Sequence, residues 1–455
     1  MAENRPPWLY QMQFKRQIEI LNKDFETDIA IIGGGIAGVS TAFFALEHTN
    51  QTVTLIEKDL LAHGATGHNA GYVVNYIERP FNEIIEEFGE EMALDGYMDL
   101  ESGWEKIDHM YEKASLDIPF TKIIGYAGFS TKERVFSELK TISLQRKRGI
   151  PVHKIILDKN VDWIGEILPE WNDSLELAER SEILSLLESK DDQYLACLPY
   201  KVACANSARF CEEIVEYMER TYPDRFRFFE HTPIEKILLR EDGATLDALK
   251  HEIKTKRVVM CTNGFEKIRI INEGSLEIDT KFHHEVWGVI GYMAAYSEAL
   301  DKAPFAAEYY TREKIQEEVK GNDPYFYVTR RPYDFGGKSS SNLISIGGPE
   351  IYLEDSEVYS RNYEYPEDAQ EKIEEFAKKT FENNPIKDVE PFLWHGLMGY
   401  TKNMIRLIGE EPRNKVLLYN LGCNGVGVLS SVYGGFKVGS ILGGKVFPYS
   451  IFDPK

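Results

Sequence analysis

The 455-residue chain is poor in cysteine, in basic charge and in long apolar runs. Five cysteines, an odd number with no Cys-x-x-Cys pair, make no disulfide framework. They point to a reducing compartment, so a cytoplasmic location is expected. Cys197, Cys204 and Cys211 recur every seven residues, and ordinary buried thiols are expected there rather than a metal site. Lysines plus arginines number 52 against 74 aspartates plus glutamates, a formal net charge of −22. Such a chain repels phosphate backbones and anionic lipid, which speaks against general binding to nucleic acid or membrane surfaces. No apolar run reaches the roughly 18 residues a bilayer needs, so no transmembrane segment is expected. The first residues also lack the basic-then-apolar pattern of a secretory signal. Hydrophobic residues make up 43%, enough for sizeable cores, so long disorder is a poor reading.

The informative text begins at Asp28. Asp28-Ile29-Ala30-Ile31-Ile32 reads as a buried parallel strand. Gly33-x-Gly35-x-x-Gly38 follows and opens a helix running to His48. Thr52 to Ile56 is a second buried strand, ending at Glu57, which stands 19 residues after Gly38. In such a unit the first glycine permits the tight turn, the second lets a diphosphate approach the backbone, and the third lets helix and strand pack closely. The helix mouth, with Ile36 and Ala37, offers free N–H groups and the positive end of a dipole. Glu57, with Lys58 beside it, can accept hydrogen bonds from ribose hydroxyls. The plainer reading is a glycine-rich turn in an ordinary α/β domain. No second glycine triplet serves a nicotinamide cofactor, and no cysteine pair supports a disulfide reductase. Gly64-Ala65-Thr66-Gly67-His68-Asn69-Ala70-Gly71 is dominated by small residues, which let a flat ring system lie against backbone.

Residues 1–24 read as an N-terminal strap. Phe81–Phe88 and Glu133–Leu144 read as helices, and Asn206 as the N-cap of another. Arg257–Cys261 reads as a strand closed by Thr262-Asn263-Gly264. Val286–Ala295, Tyr325–Arg330 and Leu343–Ile346 read as strands, and Glu367–Phe381 as a charged helix. Val416–Leu421 is a last strand, running into Gly422–Val428 and a helix of small residues. His283 and His284 are neighbours on an expected strand, so their rings face opposite ways and do not share a metal.

Together these blocks, with Trp394-His395-Gly396-Leu397-Met398-Gly399-Tyr400-Thr401, resemble the D-amino-acid oxidase superfamily of FAD-dependent oxidoreductases. Within it they are most similar to the glycine oxidase, sarcosine oxidase and gamma-glutamylputrescine oxidase group. The resemblance implies an α/β fold: a doubly wound, Rossmann-like FAD-binding domain and a second substrate domain on a mixed or antiparallel sheet. The expected division is about 25–85, 196–275 and 388–455 for FAD, and 86–195 and 276–387 for substrate. It also implies cofactor contacts from Ile234, Cys261, Thr262, Asn263 and Gly264, from Gly396 and Gly399, and from Asn424, Gly425, Val426 and Gly427.

The implied reaction removes a hydride from the carbon next to an amine or amino-acid nitrogen, delivers it to flavin N5, and lets the imine hydrolyse. Oxygen or another acceptor reoxidises the flavin. No dedicated acid–base pair is required, because flavin carries the electronics. A carboxylate-bearing substrate needs an anchor, and Arg330 or Arg331 is the expected one. Tyr327 and Tyr400 are candidates for contacting substrate. Lys402 and Arg406 are candidates for binding substrate or for stabilising negative charge during reoxidation. His68 contacts the flavin either through a covalent bond or without one. The sequence departs from the family pattern at Asn403 and Arg406, where aspartate and proline are usual, and at Cys423–Gly427. Two other readings stay open: a 2-hydroxy acid or glycerol phosphate oxidoreductase of the same superfamily, and an FAD-binding scaffold or partner subunit without turnover.

Overall fold

A computed structural model describes residues 4–264, 268–273, 278, 286–312, 325–334, 340–353, 359–382 and 391–455. His283 and His284 lie outside these residues. Among the described residues the chain builds two large sheets, of nine and ten strands. The centre of the first is parallel. Strand Phe25–Ile32 sits between Val53–Ile56 and His251–Met260, with Ile29 opposite Val53 on one side and Arg257 on the other. Phe226–Phe229 and Leu417–Leu421 add parallel strands on either flank. These central runs are apolar on both faces because both are covered: helices Ile36–His48, Ser207–Thr221 and Val428–Leu442 pack on one, and Leu21 with strands Ile234–Leu239 and Ala244–Ala248 pack on the other. Ile29, Ile31, Val53, Leu55, Val258 and Val259 are all fully buried.

Helix Ile36–His48 lies against helix Val428–Leu442 at very short range. A Cβ on Gly435 or Gly439 would come within 2.7 Å of the backbone of Ser40 or Phe44, so only glycine permits this approach. Helix Ser207–Thr221 is capped as expected, the Asn206 side chain accepting from the N–H groups of Ala208 and Arg209.

The second sheet has Trp287–Glu298, Phe305–Tyr310, Tyr325–Asp334 and Ser340–Leu353 at its centre, largely antiparallel. Two strands that the expected division placed with the nucleotide-binding sheet belong to this one. Ala196–Ala205 pairs with Phe120–Phe129, and Phe392–Tyr400 pairs with Trp287–Glu298. The short strand Tyr72–Val73 joins it as well. The chain therefore passes between the sheets at just the segments that carry the small-residue and Trp394 blocks. The helix Glu90–Ala114 has no counterpart among the expectations. Its sequence is polar and interrupted by Gly96 and Gly103, and those glycines are where Ile451 and Leu429 press in.

The strap begins by burying Trp8, whose ring meets Tyr333 and Trp394 edge-on. All five cysteines are free, and four are buried. Among the described residues no helix is long and apolar enough to cross a membrane.

Candidate active site

The glycine turn makes a bare-backbone cradle. Gly33 sits at φ +115°, and a Cβ there would lie 2.5 Å from the Cys261 carbonyl oxygen, so the turn and the neighbouring strand end tolerate only glycine. Gly35 caps helix Ile36–His48 in extended conformation, and Gly38 packs under Gly33 and Leu55. Glu57, at the end of the second strand, accepts from the Gly34 N–H at 2.7 Å and the Asp59 N–H at 2.9 Å. The Thr66 hydroxyl accepts from Ile36 N–H at 3.0 Å, tying the small-residue loop to the helix mouth.

From this mouth a cavity of about 640 Å³ extends to the face of the second sheet, a size usual for small-molecule sites. Gly33, Gly35, Ile36 and Ala37 line its first part, with Glu57, Lys58 and Ile234 beside them. Gly64, Ala65, Thr66, His68, Asn69 and Ala70 form one wall, and Cys261, Thr262 and Asn263 face the same space. Gly396, Gly425, Val426 and Gly427 close it from the C-terminal third. Five expected cofactor residues stand behind the lining rather than in it. Gly38 and Gly264 serve packing. The Gly399 carbonyl accepts from Asn424 N–H, and the Asn424 side chain accepts from Thr401 N–H at 2.7 Å. Gly71 makes room for Arg331.

His68 is buried, and its Nδ1–H donates to the Gly64 carbonyl at 2.9 Å. Burial pushes its pKa down to about 4, so the ring is neutral. Trp8 holds the other end of the loop, its indole N–H donating to the Asn69 carbonyl at 2.6 Å.

The structure separates the expected catalytic residues. Tyr327 and Arg406 line the cavity; Arg330, Arg331, Tyr400 and Lys402 do not. Strand alternation explains Arg330. Tyr325 and Tyr327 face the cavity, whereas Phe326, Val328 and Arg330 point to the opposite face of the sheet. There Arg330 forms a bidentate pair with Glu188 at 2.5 and 2.7 Å and lies over Phe305. Arg331 returns to the cavity side of the sheet but four residues along, and is buried over the Trp8 ring. Burial lowers its pKa to about 10, and its Nη1–H donates to the Gly71 carbonyl. Neither arginine is placed to anchor a substrate carboxylate. Lys402 sits on an exposed turn. Tyr400 is one layer out, stacked with Trp287, and its hydroxyl donates to Glu78 at 2.9 Å.

Arg406 is buried and donates to the Asn420 side-chain oxygen at 2.7 Å and to the carbonyls of Gly422 and Asn420. Burial lowers its pKa to about 10. The Asn403 side chain accepts from Ile405 N–H at 3.2 Å, shaping the turn that aims Arg406 inward.

Sequence reasoning missed three carboxylates in the part of the cavity under the second sheet. Glu78, Glu308 and Glu350 all line it, with Tyr72, Tyr76, Tyr325 and Tyr327. Glu308 is fully buried and accepts from the Tyr76 hydroxyl at 2.7 Å and the Tyr310 hydroxyl at 3.2 Å. Burial raises its pKa against these hydrogen bonds. Glu350 is raised to about 8 by burial and by Glu78 nearby. A lone acid inside the otherwise apolar run Phe305–Tyr310 was a legible sign for Glu308. Glu78 lies in a loop and gave none.

The family model described as "DAO: FAD dependent oxidoreductase" matches residues 28–438. A protein described as "Probable oxidoreductase OrdL", from Haemophilus influenzae, is 30% identical over 254 residues, 54% of this chain and 52% of that protein. Gamma-glutamylputrescine oxidoreductase of Escherichia coli is 31% identical over 86 residues, 19% of this chain and 20% of that one. The match thus spans about half or less of these curated relatives' length. Glycine oxidase from Geobacillus kaustophilus has a similar fold, with a TM-score of 0.63 and 15% identity over 94% of this chain and 97% of that one.

Proposed function

Because the chain belongs to this family of FAD-dependent oxidoreductases, we propose that it holds FAD along the cavity and oxidises the C–N bond of a small-molecule amine. The residues present fit the cofactor. The cradle at Gly33 and Gly35 leaves backbone bare at a helix mouth, where a diphosphate is welcome. Glu57 stands where a ribose is expected, and the Thr262 hydroxyl on the cavity wall is buried with no partner among the described residues. Arg406 brings a buried positive charge to the same space, held by carbonyl and amide oxygens. Bound FAD supplies the hydride acceptor for the carbon next to nitrogen, and the imine left on the substrate hydrolyses in water.

The chain's own part is to bind, orient and exclude water. The small-residue loop, pinned by Trp8, forms the wall on which a flat ring can lie. Met293, Tyr327, Leu397 and Met398 give the second sheet's contribution to the chamber. Arg406 supports negative charge that develops nearby. The observation that supports the amine reading is the acidic lining of the chamber. Glu78, Glu308 and Glu350 line it, and among the described residues its second-sheet walls bear no lysine or arginine. A 2-hydroxy acid or a glycerol phosphate would bring an anion to these carboxylates.

The test is a yellow purified protein whose flavin bleaches anaerobically with one class of amine. Bleaching by a 2-hydroxy acid or glycerol phosphate, with every amine inert, transfers the assignment to that class. Full FAD loading without any turnover supports the scaffold reading instead.

A further inference from the structure

Resting on the reading that FAD lies along the cavity, we infer that Arg361 is a clasp over the cofactor's adenosine end. It crosses the cavity to Asp59, and it parts when FAD enters or leaves. The wall beside Glu57 is built from two distant stretches of chain. Asp59 and His63 come from the loop after strand Val53–Ile56. Tyr359, Ser360 and Arg361 come from the segment ahead of helix Glu367–Thr380. The Arg361 guanidinium pairs with the Asp59 carboxylate, and its Nη1–H donates to the His63 carbonyl at 3.2 Å. One rigid fork thus ties the later segment to the nucleotide-side loop at two points.

Both ends of the bridge are anchored from behind. The Asp59 N–H donates to the Glu57 carboxylate at 2.9 Å, and the Asp59 carbonyl accepts from the His231 N–H at 2.9 Å. The acid is therefore held beside the position expected to meet the ribose. On the other side, the Arg361 carbonyl accepts from the Asn4 side chain at 3.1 Å. The His395 Nε2–H donates to the Tyr363 carbonyl at 3.0 Å, and the His395 N–H donates to the Asn4 side chain at 3.0 Å. These bonds moor the segment to strand Phe392–Tyr400 and to the strap, while the Arg361 side chain reaches the other way. The two side chains of the pair keep 38% and 31% of their surface accessible, so water and salt weaken the bridge. That suits a contact that has to part and close again. Arg361 also offsets the Asp59 charge, which by itself would repel an anionic diphosphate.

The experiment treats the purified holoenzyme with excess phosphodiesterase, which cuts FAD at its diphosphate once that end is exposed. AMP release then reads opening, whether or not the flavin end is covalently held. Arg361→Met is expected to release AMP about fivefold faster than the unmodified protein, with Tm changed by only a few degrees. Arg361→Lys keeps the ion pair without the fork, so its rate should lie between the two. Asp59→Asn should speed release about threefold, and the exchange Asp59→Arg with Arg361→Asp should bring it back to within about twofold of the original. Added salt should speed release from the unmodified protein and leave Arg361→Met nearly unchanged. If Arg361 instead grips the diphosphate itself, Asp59→Asn will slow release or leave it alone, and the exchange will not rescue it. Either that pattern, or an unchanged rate in Arg361→Met, overturns the clasp while FAD binding stands. Protein that neither contains nor takes up FAD defeats the cofactor reading and the clasp together.

Discussion

Glu350→Gln should stabilise the protein in a pH-dependent way. The Glu350 carboxyl goes from an ordinary value of 4.5 to about 8 on folding, because burial and Glu78 disfavour its charge. Among the described residues the other titratable groups facing it are the Tyr325, Tyr327 and Tyr400 phenols, whose pKa values are raised, so they stay neutral. Between pH 4.5 and 8 the folded chain thus holds a proton that the unfolded chain has released. Stability falls as pH rises through that window, by up to about 1.4 kcal/mol per pH unit. Across the window the ceiling is roughly 5 kcal/mol, and solvent screening lowers the part that is realised. Glutamine keeps the shape and cannot ionise. Differential scanning calorimetry from pH 5 to 9 should show the variant's Tm advantage near its minimum at pH 5. The advantage should grow to a few degrees by pH 8 and level off above it. A constant offset, or an advantage that grows toward acid, would refute the reasoning.

Four further outcomes can be measured. Gly33→Ala forces a side chain at φ +115° against the Cys261 carbonyl, so it should yield colourless or barely folded protein, read by the absorbance ratio of flavin to protein. Trp8→Ala removes a fully buried ring and the bond to Asn69; a loss of about 3–5 kcal/mol is expected, together with weaker FAD retention on dilution. Arg331→Met should lower Tm yet leave KM for the best amine within about twofold, and a large rise in KM would return Arg331 to the substrate site. Acid precipitation should release the flavin into solution if the His68 ring only contacts it; a yellow pellet would show a covalent bond.

The nucleotide-binding strands were legible because each signal is local. An apolar run of β-branched residues, a glycine turn and a carboxylate at the next strand end all fall within about thirty residues, and the structure pairs Ile29 with Val53 as that pattern requires. Asn206 was legible as a cap for the same reason. The helix Glu90–Ala114 was not, since its apolar positions are broken by glycines whose purpose is contact with the C-terminal residues Ile451 and Leu429. Strand Phe392–Tyr400 was not read as a strand, since Gly396 and Gly399 interrupt its apolar pattern. A Cβ on Gly396 would come within 2.8 Å of the His68 carbonyl oxygen, a contact between segments more than three hundred residues apart.

By itself, the sequence determined the glycine turn, the helix mouth and the strand-end acid, because these are set by neighbours along the chain. Only the tertiary structure decided the character of the substrate chamber. Which face of strand Tyr325–Asp334 looks into the cavity depends on register against its neighbours, and a shift of one residue exchanges Tyr327 for Arg330-side residues. That register turned Arg330 to the opposite face and left Arg331 four residues along, against the Trp8 ring, while the fold gathered Glu78, Glu308 and Glu350 from three distant segments into one pocket.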